Sequence, residues 1–317
     1  MTTRRELLVA LGALAVPLAG VAQQTRVPRI GVLAISNLEP GFGFLKEALR
    51  NLGYIEGKSI LIEVRSAEGK AEMLPALAAE LVRLKVDVIV ALATPAAHAA
   101  KKATSTVPIV IAAGDPVGTG LVASLARPGA NITGLSMATP ELAAKTLELI
   151  REIRPAGRSV AVLANATDPF TKPFLEQIHA AGRNLGIDVL VAMVRAPDEF
   201  EAVFATWAKA KVGAVIIQPS LPRNRSIELA LKHQFVSASP SVPFVAAGGL
   251  IGYAASVRDQ NRKIAEYVDR ILKGAKPADL PLEQPTVFEL VVNMKTARAI
   301  GVTIPPTVLF RADRVIE

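Results

Sequence analysis

Residues 109–134 read IVIAAGDPVGTGLVASLARPGANITG: an uninterrupted apolar run, a glycine-rich turn, and the start of a second apolar run. A strand covered on both faces shows no polar alternation, so Ile109–Ala113 reads as a buried strand of a parallel sheet. Gly114, Gly118 and Gly120 permit a sharp turn after it, while Asp115 and Thr119 can cap a helix starting near Leu121. Open α/β sheets hold ligands just beyond the carboxyl ends of their strands. Asp115 is therefore a candidate cleft residue.

The rest of the chain repeats this pattern. Apolar runs at 29–34, 59–64, 87–92, 107–113 and 131–136 alternate with amphipathic stretches. In one of these stretches Leu74, Leu77, Leu81 and Leu84 form a single stripe at helical spacing. A second series begins with a helix over 140–151 and strands at 159–164, 187–193, 214–218 and 242–246. The tail adds a strand at 249–254, a helix over 258–272, a strand at 287–293 and a helix ending near Ile300. Two strings of βα units, each too short for a barrel, predict an α/β fold of two doubly wound parallel-sheet lobes. One strand and helix returned to the first lobe, then one pair to the second, make three crossings and a multi-strand hinge. The expected lobes are 28–138 plus 251–282, and 139–250 plus 283–317.

Residues 1–22 differ in kind. Arg4 and Arg5 precede an apolar run rich in Ala and Leu, and Gly20-Val21-Ala22 offers small residues for cleavage. This is the pattern of an export signal cleaved after Ala22, which places the mature chain in the periplasm. The paired arginines match a twin-arginine signal only loosely, so that route and general secretion both stay open. No later stretch is long and apolar enough to cross a membrane.

Composition narrows the chemistry. With no cysteine among 317 residues, disulfides, a lipid-anchored lipobox and thiolate metal sites are excluded. The net charge of +8 comes from scattered Lys and Arg without basic runs or interleaved aromatics, which argues against nucleic acid. His98, His179 and His233 fall on separate helices and form neither a metal centre nor a triad. The first strand leads into Ala34-Ile35-Ser36, which lacks the G-x-G-x-x-G of a dinucleotide site. Gly53-Tyr-Ile-Glu-Gly-Lys-Ser59 is one residue short of a phosphate loop and precedes its strand. Gly134-Leu-Ser-Met-Ala138 lacks the last glycine of a nucleophile elbow. No catalytic set and no cofactor is implied.

Three long runs carry a resemblance: 74–90 (LPALAAELVRLKVDVIV), 114–129 (GDPVGTGLVASLARPG) and 248–253 (GGLIGY). It continues through 271–281 (ILKGAKPADLP), 283–293 (EQPTVFELVVN) and 303–306 (TIPP). Together they resemble the ABC-transporter substrate-binding protein family, which includes tryptophan- and tyrosine-binding members. The resemblance implies a type I periplasmic-binding fold, a monomer whose lobes close over a small polar or amino-acid-like solute and present it to an ABC permease in the inner membrane. It implies Ser36, Asn37, Thr94 and Asp115 on the first lobe's wall, Asn165, Asp168 and Gln218 on the second's, and Tyr253 near the hinge. A ligand sensor feeding a receptor or kinase, or an enzyme on the same fold, is the alternative.

That assignment is chemically coherent. A zwitterion needs donors for its carboxylate, which Ser36, Thr94 and helix-start amides supply, and an acceptor for its ammonium, which Asp115 or Asp168 supplies. Each residue also has a purely structural role open to it, as a cap, a turn former or a packed side chain. Aromatics make up only 4% of the chain, and the loop rings available to stack on a ligand are Phe42, Phe44, Phe170 and Tyr253.

Overall fold

The computed structural model describes residues 26–317 except 37, 39, 40, 138 and 139. Residues 1–22, read above as an expected export signal, and Asn37 lie outside the described residues. The first half runs β1 (Arg29–Ala34), α1 (Gly41–Asn51), β2 (Leu61–Ser66), α2 (Leu74–Arg83), β3 (Val88–Leu92), α3 (Thr94–Ala103), β4 (Ile109–Ala113) and β5 (Ile132–Ser136). It continues with α4 (Pro140–Ile153), β6 (Ser159–Asn165), α5 (Thr171–Leu185), β7 (Asp188–Val194), α6 (Phe200–Lys209), β8 (Ala214–Ile217) and α7 (Arg223–Lys232). The last part is β9 (Val236–Ala238), α8 (Val242–Ala246), β10 (Ile251–Ala255), α9 (Val257–Leu272), β11 (Phe288–Asn293), α10 (Met294–Ala299), α11 (Pro306–Arg311) and β12 (Arg314–Ile316).

Among the described residues these strands form two sheets, ordered β2-β1-β3-β4-β5 and β12-β11-β10-β9-β8-β6-β7. The pairs are parallel except β10 with β11. Numbered within its own half, β7-β6-β8-β9-β10 repeats the order 2-1-3-4-5 of the first sheet. Each lobe is thus doubly wound, as the alternation of runs predicts, with a switch point between β1 and β3 in one and between β6 and β8 in the other.

Strand pleating explains the all-apolar runs. Leu33, Ile89 and Ile111 point into the layer shared with α2 and α3, while Val32, Val90 and Val110 point into the layer shared with α1 and α9. In the second lobe Val160, Val162 and Ile216 feed one core, and Ala161, Leu163, Val215 and Ile217 the other. Burying each such Val or Ile side chain contributes about 1.5–3 kcal/mol.

Three readings of the sequence are corrected. Residues 242–246 are a helix rather than a strand. Pro243 in its first turn favours that, and the strand of this unit is the three-residue β9, too short to stand out as a run. No helix follows Gly120: the carbonyls of Gly120 and Leu121 accept Lys101 Nζ at 2.8 and 3.0 Å, and that of Leu125 accepts the amide of Leu282. The strand over 251–255 belongs to the second sheet, not the first, because its antiparallel partner β11 and parallel partner β9 are both there. What returns to the first sheet is α9, packed beside α1, and the segment after it as far as Glu283.

The chain passes between the sheets three times: between Met137 and Pro140, at Ser256, and over 284–287. Two of these passages are tied together, since Ser256 donates its amide to Val287 O at 2.9 Å. On the first-lobe side Glu283 is bracketed by Gly134 O and Ser136 N, extending that sheet by one bridge. Gly134 itself sits at φ +130°, and a Cβ there would lie 2.2 Å from Ile111 O. Gly134→Ala should therefore break the β4–β5 pairing and lower the stability of the protein by more than about 3 kcal/mol in urea unfolding.

Candidate functional site

A cavity of about 300 Å³ lies between the lobes, where the carboxyl ends of β1 and β3 face those of β6 and β8. Ser36, just past β1, and Thr94, which opens α3, line it from the first lobe. Asp168, Gln218 and Ser220 line it from the second, beyond β6 and β8. Both switch points thus open into one space. Phe170 and Phe174 add a tilted ring pair with centroids 5.9 Å apart.

The second wall is a closed hydrogen-bond network around Gln218, whose side chain is fully buried. Its Nε2 donates to Asp168 Oδ2 at 3.0 Å, and its Oε1 accepts Asn165 N at 2.9 Å and Thr171 Oγ1 at 3.0 Å. Asp168 Oδ1 accepts the amide of Phe170 at 2.9 Å, and Ser220 adds a further hydrogen bond. A carboxylate offers about four lone-pair directions, so these three donors leave one for a ligand. Burial nevertheless dominates and pushes the Asp168 carboxyl above its usual value, against the pull of Ser220, Phe170 and Gln218. Among the described residues it is the one charged side chain on the cavity wall; no Lys, Arg or His lines it.

Of the residues expected from sequence, the structure brings Ser36, Thr94, Asp168 and Gln218 to the cavity. Thr94 is held by its own lobe, where its Oγ1 accepts Gly114 N at 3.0 Å and donates to Gly114 O at 3.3 Å. Asn165 stands one layer behind the wall: its amide donates to Gln218, its Nδ2 to Ser220 Oγ, and its Oδ1 accepts both donors of Thr167.

Asp115 and Tyr253 are outside the lining. Asp115, at φ +30°, turns its carboxylate back to accept Gly118 N at 2.8 Å, and its carbonyl takes Thr119 Oγ1 and the Thr119 amide. This is the turn-forming use that an Asp before Pro has open to it. Tyr253 is stacked on Phe288 with ring centroids 5.8 Å apart, while its neighbours Ala254 and Ala255 reach the cavity. Phe170 is the lining ring among the four loop aromatics considered.

Sequence reading missed Phe174, Ser220, Ser241, Gln260 and Asn261, all on the lining. Phe174 and Ser220 carry a usable signal, one turn beyond Phe170 and two residues past a strand end. Gln260 and Asn261 carry none, because nothing local in α9 says that its first turns reach the cavity.

Residues 37–316 match the family model described as "ABC transporter substrate binding protein". A tyrosine-binding protein of Clostridioides difficile (strain R20291) is 28% identical over 264 residues, spanning 81% of this chain and 75% of the relative. Among solved structures, a conserved domain protein from Vibrio cholerae superposes with a TM-score of 0.84 at 28% identity, over 92% of this chain and all of that one. An ABC domain from Streptococcus pneumoniae, solved in complex with L-Trp, gives 0.81 at 26% identity over 91% of this chain and 99% of that one.

The raised carboxyl of Asp168 sets a sign for stability against pH. The folded chain holds that proton to higher pH than the unfolded chain does. The stability linked to it is complete below the ordinary Asp value of 3.8 and is lost as pH rises through the elevated one. Urea unfolding of the ligand-free protein from pH 3.5 upward should show this decline in the wild type relative to Asp168→Asn; parallel curves for the two would contradict it.

Proposed function

The chain belongs to the ABC transporter substrate-binding protein family, with the type I periplasmic-binding fold, and from that premise we propose that it captures an amino-acid-like solute between its lobes. The ligand's ammonium sits on the open lone-pair direction of Asp168, a charge-assisted hydrogen bond inside a mostly apolar cavity. Its side chain, aromatic or branched apolar, packs against Phe170 and Phe174. Its carboxylate is met by hydroxyl and amide donors near Ser36 and the start of α3, where the helix end offers partial positive charge.

The observation that carries this reading is the single buried carboxylate set beside two phenyl rings where both switch points meet. Two relatives, one a tyrosine-binding protein and one solved with L-Trp, support the amino-acid class. In this reading the ligand favours the closed lobes, because both walls touch it only there. The closed form is presented to an ABC permease at the inner membrane, after export directed by residues 1–22.

A thermal-shift panel tests it. At about a thousandfold excess over Kd, a bound solute adds about 4 kcal/mol to the folded state, enough to raise Tm by several degrees. L-tryptophan, L-tyrosine, L-phenylalanine and L-leucine should include at least one stabiliser, and indole-3-propionate, which lacks the ammonium, should not stabilise. Asp168→Asn should weaken the best ligand at least about tenfold in calorimetric titration, while Asp115→Asn should leave it within about twofold. A response to polyols or sugars with none to amines would overturn the assignment.

A further inference from the structure

The first lobe presents a notch at Gly114, and the second presents a ring that fills it. A Cβ added at Gly114 would stand 2.7 Å from Cγ and Cδ1 of Phe170 and 2.8 Å from Cε1, closer than real atoms approach. Both sides are held. Gly114 is clamped at its amide and carbonyl by Thr94 Oγ1, between the fixed strand end of β4 and the Asp115 turn. Phe170 is held by its amide on Asp168, by the ring of Phe174, and by its carbonyl, which accepts the amide of Phe174. A second approach between the lobes lies at Gly69, where an added Cβ would be 3.2 Å from Pro222 Cγ and 3.9 Å from its Cβ.

We infer that Phe170 and Gly114 form the latch of lobe closure: the phenyl ring must seat on the bare backbone of Gly114 for the lobes to meet, and the absent side chain there sets how far they close. The same ring lines the cavity, so closure and the shape of the ligand space are governed by one contact. The inference rests on the two-lobe reading above but on no particular solute. It explains why Gly114 carries no side chain although its φ lies outside the range that favours glycine.

The test uses no ligand. The chain contains no cysteine, so Gly69→Cys with Pro222→Cys introduces one pair, at a Cβ separation within the span of about 3.5–4.5 Å that a disulfide requires, and the strain of a side chain at the Gly69 φ of +84° is common to every variant compared. Disulfide formation under mild oxidant accumulates every closure event, however rare, and its rate is read by gel shift. Added to this background, Gly114→Ala should slow cross-linking at least tenfold, and Gly114→Ala combined with Phe170→Ala should return it to the rate of Phe170→Ala alone. Phe170→Trp, with Gly114 intact, should slow cross-linking in the same direction. Circular dichroism and the thermal midpoint of each variant separate a blocked closure from a misfolded lobe. Wild-type cross-linking rates in Gly114→Ala, a loss that persists when Phe170 is removed, or no cross-link in the parent pair would each overturn the latch. Failure of the solute panel would leave all of these rates as they are, so the two readings fail separately.

Discussion

A carboxylate in the wall of a largely apolar cavity is the constraint to which the second lobe is fitted. Taking such a group out of water costs several kcal/mol unless donors replace the lost hydration. Asp168 has three: a backbone amide, the Gln218 amide group and a serine hydroxyl. Gln218 can point its Nε2 at the carboxylate because its Oε1 accepts Asn165 N and shares the single hydroxyl proton of Thr171 with the carbonyl of Asn165. The amide cannot flip without losing its bonds to Asp168 and to Asn165 N. Unlike a flexible surface acid, the carboxylate is thereby fixed in direction, with its one remaining acceptor site defined before any ligand arrives.

The location of that network follows from topology. In a sheet of order 2-1-3-4-5 the connections leave strands 1 and 3 on opposite faces, so no crossover covers the crevice at their carboxyl ends. Here the crevice occurs twice, at β1 and β3 and at β6 and β8, and the three chain passages set the two face to face. The antiparallel β10–β11 pair and the Ser256 to Val287 hydrogen bond keep two of these passages side by side. Relative motion of the lobes is thus confined to a few backbone torsions near the sheet edges.

Which parts of this were legible in the sequence depends on the range of the interaction. Both sheets could be read because a strand buried on two faces must be apolar at every position, and Ile109–Ala113 and Ala214–Ile217 are. Ser36, Thr94, Asp168 and Gln218 are placed by the family resemblance, and all four lie within three residues of a strand's carboxyl end. Asp115 satisfies the same rule yet closes its own turn, since an Asp before Pro has a local partner three residues on, at Gly118. A pattern one residue wide does not distinguish a turn former from a ligand. The strand over 251–255 was assigned to the wrong sheet for a different reason: its partner β11 lies about forty residues away, and no local signal records which edge it joins. The contribution of α9 to the cavity is of the same kind.

The balance between open and closed lobes can be argued from what touches what. Gly114 faces Phe170 and Gly69 faces Pro222 across the gap, at places where neither glycine brings a side chain to the contact. To shift such a chain from about 1% to about 99% closed, a ligand must favour the closed form by about 5.5 kcal/mol. At about 25 cal/mol per Å², that corresponds to about 220 Å² of apolar surface newly removed from water, an area that a ligand filling a 300 Å³ cavity can supply together with the second wall. A ligand too small to reach both walls contributes the ammonium contact alone and leaves the lobes open. Size and apolar reach, rather than charge, therefore decide which amines close the protein, and the ring of Phe170 stands where that reach is measured.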